Sequence, residues 1–259
     1  MPIEQRCRVI DKEPLGSDTY WMTLEAGNMV EKTFLAPGQF IHIKCGHSRL
    51  LRRPISVATC QSDTPDDGVS IVFQVRGEGT AWLAKREVGD SVDVLGLLGN
   101  GFAMEPGGRY LLAGGGIGVP PLYGCAQYAG GKARAVLGFR SKELAMMVRH
   151  FEDICEGVSL CTDDGSLGDR GFVHQTVADI LDKDKNFTAI LACGPKPMLR
   201  GVAQVAKQYG IPCQVSMEER MACGVGACLG CAIQMADGSM KHVCKDGPVF
   251  DAGEVDWNV

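Results

Sequence analysis

The sequence predicts a multidomain protein of the α/β plus β kind. It should comprise an N-terminal antiparallel β-barrel, a doubly wound parallel α/β domain and a small C-terminal domain. Three observations carry that expectation. The first hundred or so residues hold short alternating or apolar runs broken by turns. From Arg109 onward, apolar strands alternate with helical patterns. The last roughly forty residues abandon both for a segment rich in Cys and Gly. At 259 residues the chain has room for about two ordinary domains whose cores need no disulfide support. The pattern changes set expected boundaries at 1–102, 103–213 and 214–259.

In the first segment the runs are "CRVIDKE", "YWMTLEA", "FIHIKC", "SIVFQVRG" and "SVDVLG", with turns at "APGQ" and "TPDDG". Several short strands at this spacing suggest a small closed barrel. The pattern changes near "GNGF". Beyond it "YLLAGG" precedes the helical "PPLYGCAQYA", and "ARAVLGF" precedes "KELAMMVRHFEDI". "VSLCTDD" precedes a helix near 172–181, and "TAILACG" precedes "KPMLRGVAQVAKQYG". Leu144, Met147, Phe151 and Ile154 recur at helical spacing, as do Met198, Val202, Val205 and Tyr209, so both sets are expected core faces. Strand–helix alternation implies a parallel sheet covered on both faces.

Composition excludes several classes. The net charge is −5, and no run of Lys or Arg offers a patch for nucleic acid or a membrane surface. The N-terminus "MPIEQRCRVI" has no apolar core of a secretory signal. Residues 110–131 carry no charge, but seven glycines and Pro120-Pro121 make them a buried strand–loop–helix rather than a span. Twelve cysteines without a signal point to a reducing compartment, the cytoplasm. The five histidines (His42, His47, His150, His174, His242) show neither metal-ligand spacing nor a triad pattern.

Cys223, Cys228, Cys231 and Cys244 form C-x4-C-x2-C-x12-C, close to the plant-type spacing for a [2Fe–2S] cluster. Four thiolates must converge on two irons, so the loop has to wrap tightly. Gly224, Gly226 and Gly230 permit that and let amide N–H groups face sulfur. Structural zinc usually takes two C-x2-C pairs, whereas the second half here offers only Cys244. A redox C-x2-C at 228–231 leaves Cys223 and Cys244 idle. Clustering of small packing residues is the plainest alternative.

"LRRPISVA" places a cation, a proline and a hydroxyl at the end of a barrel strand. Arg53 suits a flavin diphosphate and Ser56 a hydrogen bond to the flavin ring. An edge strand with a solvent-facing Arg is the competing reading. In "RGEGTAWL", Gly77, Gly79 and Thr80 offer donors to the same diphosphate, or form a turn between strands. "LLAGGGIGVPPL" follows a strand and opens a helix, where an α/β sheet cradles a dinucleotide. Gly115, Gly116 and Gly118 are the candidates, although Val119 stands at the third glycine position. Arg140 and Ser141, where an acidic residue often follows the second strand, leave NAD against NADP open. "ACGPKPM" puts Cys193 and Gly194 at another strand's carboxyl end, beside the nicotinamide or as a buried thiol and a helix-starting turn. Asp163 and Asp164 in "CTDDGSLG" fit a solvated loop at the same edge.

Taken in order, "RRPIS", "GEGT", "AGGGIGVPPL", "ACGPKPM", "MEERMACGVGACLGCA" and "VCKDGPVF" resemble one family over nearly the whole chain. It is the electron-transfer subunit of NAD-dependent dihydroorotate dehydrogenase, within the ferredoxin–NADP reductase superfamily. The resemblance implies an FAD-binding barrel, an NAD-binding α/β domain and a [2Fe–2S] domain. It assigns Arg53, Pro54, Ile55 and Ser56 to the flavin motif, and Val72, Phe73 and Gln74 to a strand lining FAD. Gly79 and Thr80 match the pyrophosphate turn, and Cys223, Cys228, Cys231 and Cys244 the cluster ligands. Ile55 stands where the wider superfamily usually has Tyr, which removes an aromatic stack.

The resemblance further implies a converter between two-electron nicotinamide and one-electron chemistry. Electrons from dihydroorotate would reach FMN in a separate catalytic subunit, cross the cluster to FAD and reduce NAD⁺, within pyrimidine biosynthesis. The expected assembly is a heterotetramer of two of each subunit. No residue here needs to act as an acid–base catalyst, and the chain alone should not oxidise dihydroorotate. A related sulfide dehydrogenase or NADH-dependent ferredoxin:NADP⁺ oxidoreductase subunit is the alternative. A zinc-stabilised, non-catalytic binding module is a reading of another class.

Overall fold

The computed structural model describes residues 2–16, 18–27, 36–46, 50–61 and 68–258, without the side chains of Cys60 and Gln61. His47 and positions 64–67 of the "TPDDG" turn lie outside the described residues.

Six strands close the N-terminal barrel: β1 (Ile3–Gly16), β2 (Thr19–Glu25), β3 (Phe40–Lys44), β4 (Arg53–Gln61), β5 (Gly68–Gln74) and β6 (Ser91–Leu98). They pair antiparallel in the order β1-β2-β5-β4-β3-β6. Alternation sends Ile41, Ile43, Ile55, Val57, Ile71 and Val94 into one apolar interior. The same alternation turns Phe40 and His42 outward from the barrel, and both are buried by what packs outside it. A short helix, α1 (Glu78–Ala84), leaves β5 and sinks Leu83 into the barrel core.

The second unit follows the expected alternation. Its strands are β7 (Tyr110–Gly115), β8 (Ala133–Phe139), β9 (Gly157–Thr162), β10 (Asp169–Arg170), β11 (Ala189–Cys193) and β12 (Cys213–Ser216). Its helices are α2 (Pro121–Ala129), α3 (Val148–Glu152), α4 (Val173–Leu181) and α5 (Lys196–Tyr209). The sheet order is β10-β9-β8-β7-β11-β12, all parallel. Leu111 and Ala113 of β7 pack on the α4/α5 side, while Tyr110 and Leu112 pack on the α2/α3 side. One strand feeding two apolar layers is the packing a doubly wound sheet requires.

Three strands complete the chain: β13 (Ala232–Gln234), β14 (Met240–His242) and β15 (Val249–Asp251). β13 and β14 form a hairpin, whereas β15 adds antiparallel to β12 at the edge of the large sheet. Cys231, Ile233, Val243, Cys244 and Phe250 share one apolar cluster with α4 and α5. Asn100, just after the barrel, ties in the same segment: its side-chain amide donates to the carbonyls of Lys245 and Asp246 at 3.0 and 3.1 Å. Barrel and sheet meet where Trp21 stacks on His150 at 5.6 Å and meets Tyr123 edge-on at 6.1 Å.

Two helical stripes differ from expectation. The segment 142–154 is not one helix: Lys142–Leu144 is a single 3-10 turn, and α3 starts only after Met147, whose φ is +59°. The break lets Leu144 and Met146 line a cavity while Phe151 stays in the core. In α5 the fully buried line is Leu199, Val202 and Ala206, one position round from the expected face. Met198 instead sits under Gly115, where a Cβ would come within 2.4 Å of its sulfur.

Candidate functional site

A cavity of about 1060 Å³ lies between the outside of the barrel and the carboxyl edge of the sheet. Its size is at the upper end of ordinary ligand pockets, enough for more than one nucleotide-sized group. In this sheet β7 is flanked by β8 on one side and β11 on the other, so the chain reverses its winding direction there. The crevice at such a reversal is where open α/β sheets bind ligands.

Apart from Arg53, Gly77 and Gly79, every residue that the sequence nominated for FAD or NAD lines this cavity. On the barrel side Pro54 and Ser56 face outward from β4, and Val72, Phe73 and Gln74 end β5. Ile55 borders the cavity and also closes the barrel core. Arg53 and Gly79 meet each other: a Cβ at Gly79 would stand 2.5 Å from Arg53 Nε, so the bare glycine admits the guanidinium. Thr80 Oγ1 accepts from the amides of Arg76 and Gly77 at 2.9 and 3.3 Å and fixes the turn that opens α1.

On the sheet side the turns after β7 and β11 interlock. A Cβ at Gly118 would lie 2.4 Å from the carbonyl oxygen of Cys193 and 2.6 Å from Gly194 N. Gly116, at φ +54°, lines the cavity with nothing within 4 Å of where its Cβ would be. Burial pushes the Cys193 thiol up to about 12 against the opposing Ser216 hydroxyl, so Cys193 is a neutral thiol. Arg140 and Asp163 reach the rim. Asp164 instead accepts from the amide and hydroxyl of Ser166, capping its own loop.

Sequence reasoning passed over Phe40, Arg76 and the Ser216–Glu219 stretch, which also line the cavity. The last had a readable signal, since it ends a strand beside β11. Phe40 had none, because its exit from the barrel interior depends on strand register.

Met221 carries the cavity wall into the cysteine loop. There Gly224 and Gly226 have φ of +73° and +76°, which turns successive amides inward. Val225 and Ala227 N–H groups donate to Cys223 Sγ at 3.5 and 3.3 Å, and Gly226 N–H donates to Cys244 Sγ at 3.2 Å. Burial opposes ionisation of Cys223, but these amides and Cys228 outweigh it and hold the thiol down at about 6. Burial and neighbouring Cys231 push Cys244 up to about 12. The thiols therefore come as two neighbouring pairs, Cys223 beside Cys228 and Cys231 beside Cys244. Among the described residues, no three His, Cys, Asp or Glu side chains are set to hold one ion. Two adjacent thiol pairs suit a two-iron cluster, with two cysteine sulfurs for each iron.

Residues 218–256 match the family model of the iron–sulfur cluster binding domain of dihydroorotate dehydrogenase B. The dihydroorotate dehydrogenase B (NAD(+)) electron transfer subunit of Bacillus caldolyticus is 43% identical over 262 residues, covering 97% of this chain and 98% of that one. The chain belongs to this family of electron transfer subunits. A further member, from Caldanaerobacter subterraneus subsp. tengcongensis, is 38% identical over 256 residues at the same coverages.

Among solved structures, that of an NADH-dependent reduced ferredoxin–NADP oxidoreductase is similar with a TM-score of 0.85. Its identity is 31%, over 97% of this chain and 90% of that one. The ferredoxin reductase of carbazole 1,9a-dioxygenase shares the fold of barrel and sheet, with a TM-score of 0.68 at 22% identity. It covers 82% of this chain and 67% of that one. The family therefore follows the dihydroorotate dehydrogenase reading, with a ferredoxin-reductase-like fold. Among the described residues, no helix is long and apolar enough to cross a membrane.

Proposed function

We propose that this chain carries electrons between an FMN-containing dihydroorotate dehydrogenase catalytic subunit and NAD, by way of a [2Fe–2S] cluster and FAD. The carrying observation is one cavity walled by barrel strands on one side and the sheet's reversal point on the other, continuous through Met221 with the cysteine loop. When bound, FAD exchanges hydride with nicotinamide and single electrons with the cluster.

The residues divide the work. Residues 1–102 hold the flavin: Arg53 over Gly79 supplies the fixed positive charge for its diphosphate, and Ser56 and Gln74 present polar groups to its ring. Val72 and Phe73 wall it from solvent. Residues 103–213 hold NAD. Gly115, Gly116 and Gly118 keep the backbone bare for its pyrophosphate, and neutral Cys193 with Gly194 leaves room for the nicotinamide. Residues 214–259 hold the cluster through Cys223, Cys228, Cys231 and Cys244. The loop also exposes Val225 (42%) and Leu229 (79%) beside the cysteines, an apolar face suited to the catalytic partner. The assembly is a cytoplasmic heterotetramer of two of each subunit.

Co-expression with the catalytic subunit tests this. The complex should reduce NAD⁺ with dihydroorotate, and the chain alone should carry flavin, iron and sulfide without oxidising dihydroorotate. A folded chain that purifies with zinc and neither iron nor flavin overturns the proposal.

A further inference from the structure

His42 is a fully buried side chain on β3, and neither ring nitrogen has a hydrogen-bond partner. Buried polar groups are nearly always paired, because an unpaired one has given up its hydrogen bonds to water for nothing. Strand alternation points the ring away from the barrel core, toward the cysteine loop. It lies against the residue that follows Cys223: a Cβ on Gly224 would stand 2.7 Å from both Nδ1 and Cε1 of His42. On its other side it meets Phe40, which lines the cavity, at 5.7 Å and 62°. Burial, with the nearby Arg52 cation, lowers its pKa to about 4, so the ring is neutral and keeps one N–H donor. Arg52 itself is engaged by Asp93 at 2.8 Å and Glu4 at 2.5 Å.

The loop supplies what the ring lacks. Cys223 already collects two amide donors, and the cluster it would hold adds sulfide acceptors beside the buried ring. We propose that His42 donates a hydrogen bond to sulfur of the [2Fe–2S] centre on its Cys223 side, raising that centre's reduction potential. The inference rests on the cluster reading above. Donors to cluster sulfur favour the reduced, more negative state. The position between Phe40 and Gly224 also makes the ring a packed contact between cavity wall and cluster loop.

The test is an EPR-monitored redox titration of the holo-chain and of two variants. His42→Phe keeps a flat ring and removes the donor, while His42→Asn keeps an N–H near the Nδ1 position. Loss of the donor should shift the one-electron equilibrium toward the oxidised cluster by up to tenfold, about 59 mV more negative. The Asn variant should stay near wild type. A His42→Phe protein with full iron and sulfide and an unchanged potential overturns the proposal. If neither variant retains iron, pulsed EPR of the reduced wild-type chain with ¹⁵N-histidine decides. A histidine nitrogen coupling that survives His242→Gln supports the bond, and no such coupling overturns it. Absence of iron from the wild-type chain would instead defeat the cluster reading.

Discussion

Cys223 and Gly118 show how much single positions fix. Amide donors and the neighbouring Cys228 outweigh burial at Cys223 and lower its pKa, so its reactive thiolate is present above about pH 6 and lost below it. In chain stripped of cluster, iodoacetamide should label Cys223 with a rate that rises through pH 6 and levels off by about pH 8. Peptide mapping after timed alkylation reads this, and a midpoint near 9.0, the ordinary thiol value, would contradict the donor arrangement. Gly118 acts by absence of a side chain. Gly118→Ala would press a methyl onto the Cys193 carbonyl from 2.4 Å, and backbone on both sides leaves nothing flexible to yield. The variant should lose roughly 1–3 kcal/mol of stability in urea unfolding. It should also bind NADH more weakly while its flavin content stays normal, because the barrel half of the cavity is untouched.

At the scale of elements, the two ends of the sheet serve different purposes. Arg109, at the amino end of β7, bonds Glu156 at 2.5 Å and Asp184 at 2.7 Å and covers the Phe187 ring at 4.4 Å. The group is partly exposed, so Arg109→Ala should cost only about 1–2 kcal/mol. NADH oxidation should be unchanged, since the cavity lies at the opposite end. A fall in turnover without a fall in stability would contradict that separation. The same sheet shows which elements are legible in sequence. β7 and β11 are uninterrupted apolar runs buried on both faces, β8 is one but for Arg134, and α2 is framed by Pro121 and Gly130, so local pattern suffices. The stretch 142–154 carries a helical stripe yet breaks at Met147, because Leu144 and Met146 are drawn to the cavity rim. A stripe records which residues are apolar, not which apolar surface each one meets. The cysteine spacing and glycine-rich turns were readable because their chemistry is local. His42 was not, since its meeting with Gly224 joins residues 182 positions apart through barrel register and the docking of the final segment.

In the whole molecule, the nucleotide cavity is built mainly by barrel and sheet, with Glu218, Glu219, Met221 and Pro248 of the final segment on its border, and the cysteine loop by that segment, anchored through β15 and Asn100. Two variants should therefore divide the activity at different points. Cys228→Ser removes one half-exposed thiol from the pair with Cys223, while β15 and the shared apolar cluster remain. That chain should lose its iron yet still oxidise NADH with ferricyanide, which takes electrons from the flavin. Leu229→Glu leaves all four cysteines intact and places a charge on the most exposed apolar side chain of the loop, 79% accessible. Its cluster EPR signal and ferricyanide activity should match wild type, while co-purification with the catalytic subunit and dihydroorotate-dependent NAD⁺ reduction fall together, at least tenfold for a loss of about 1.4 kcal/mol. If Leu229→Glu binds the partner normally, the docking face lies elsewhere. If Cys228→Ser also abolishes ferricyanide activity with flavin still bound, cavity and loop are not separable and the cluster is needed to shape the nucleotide site.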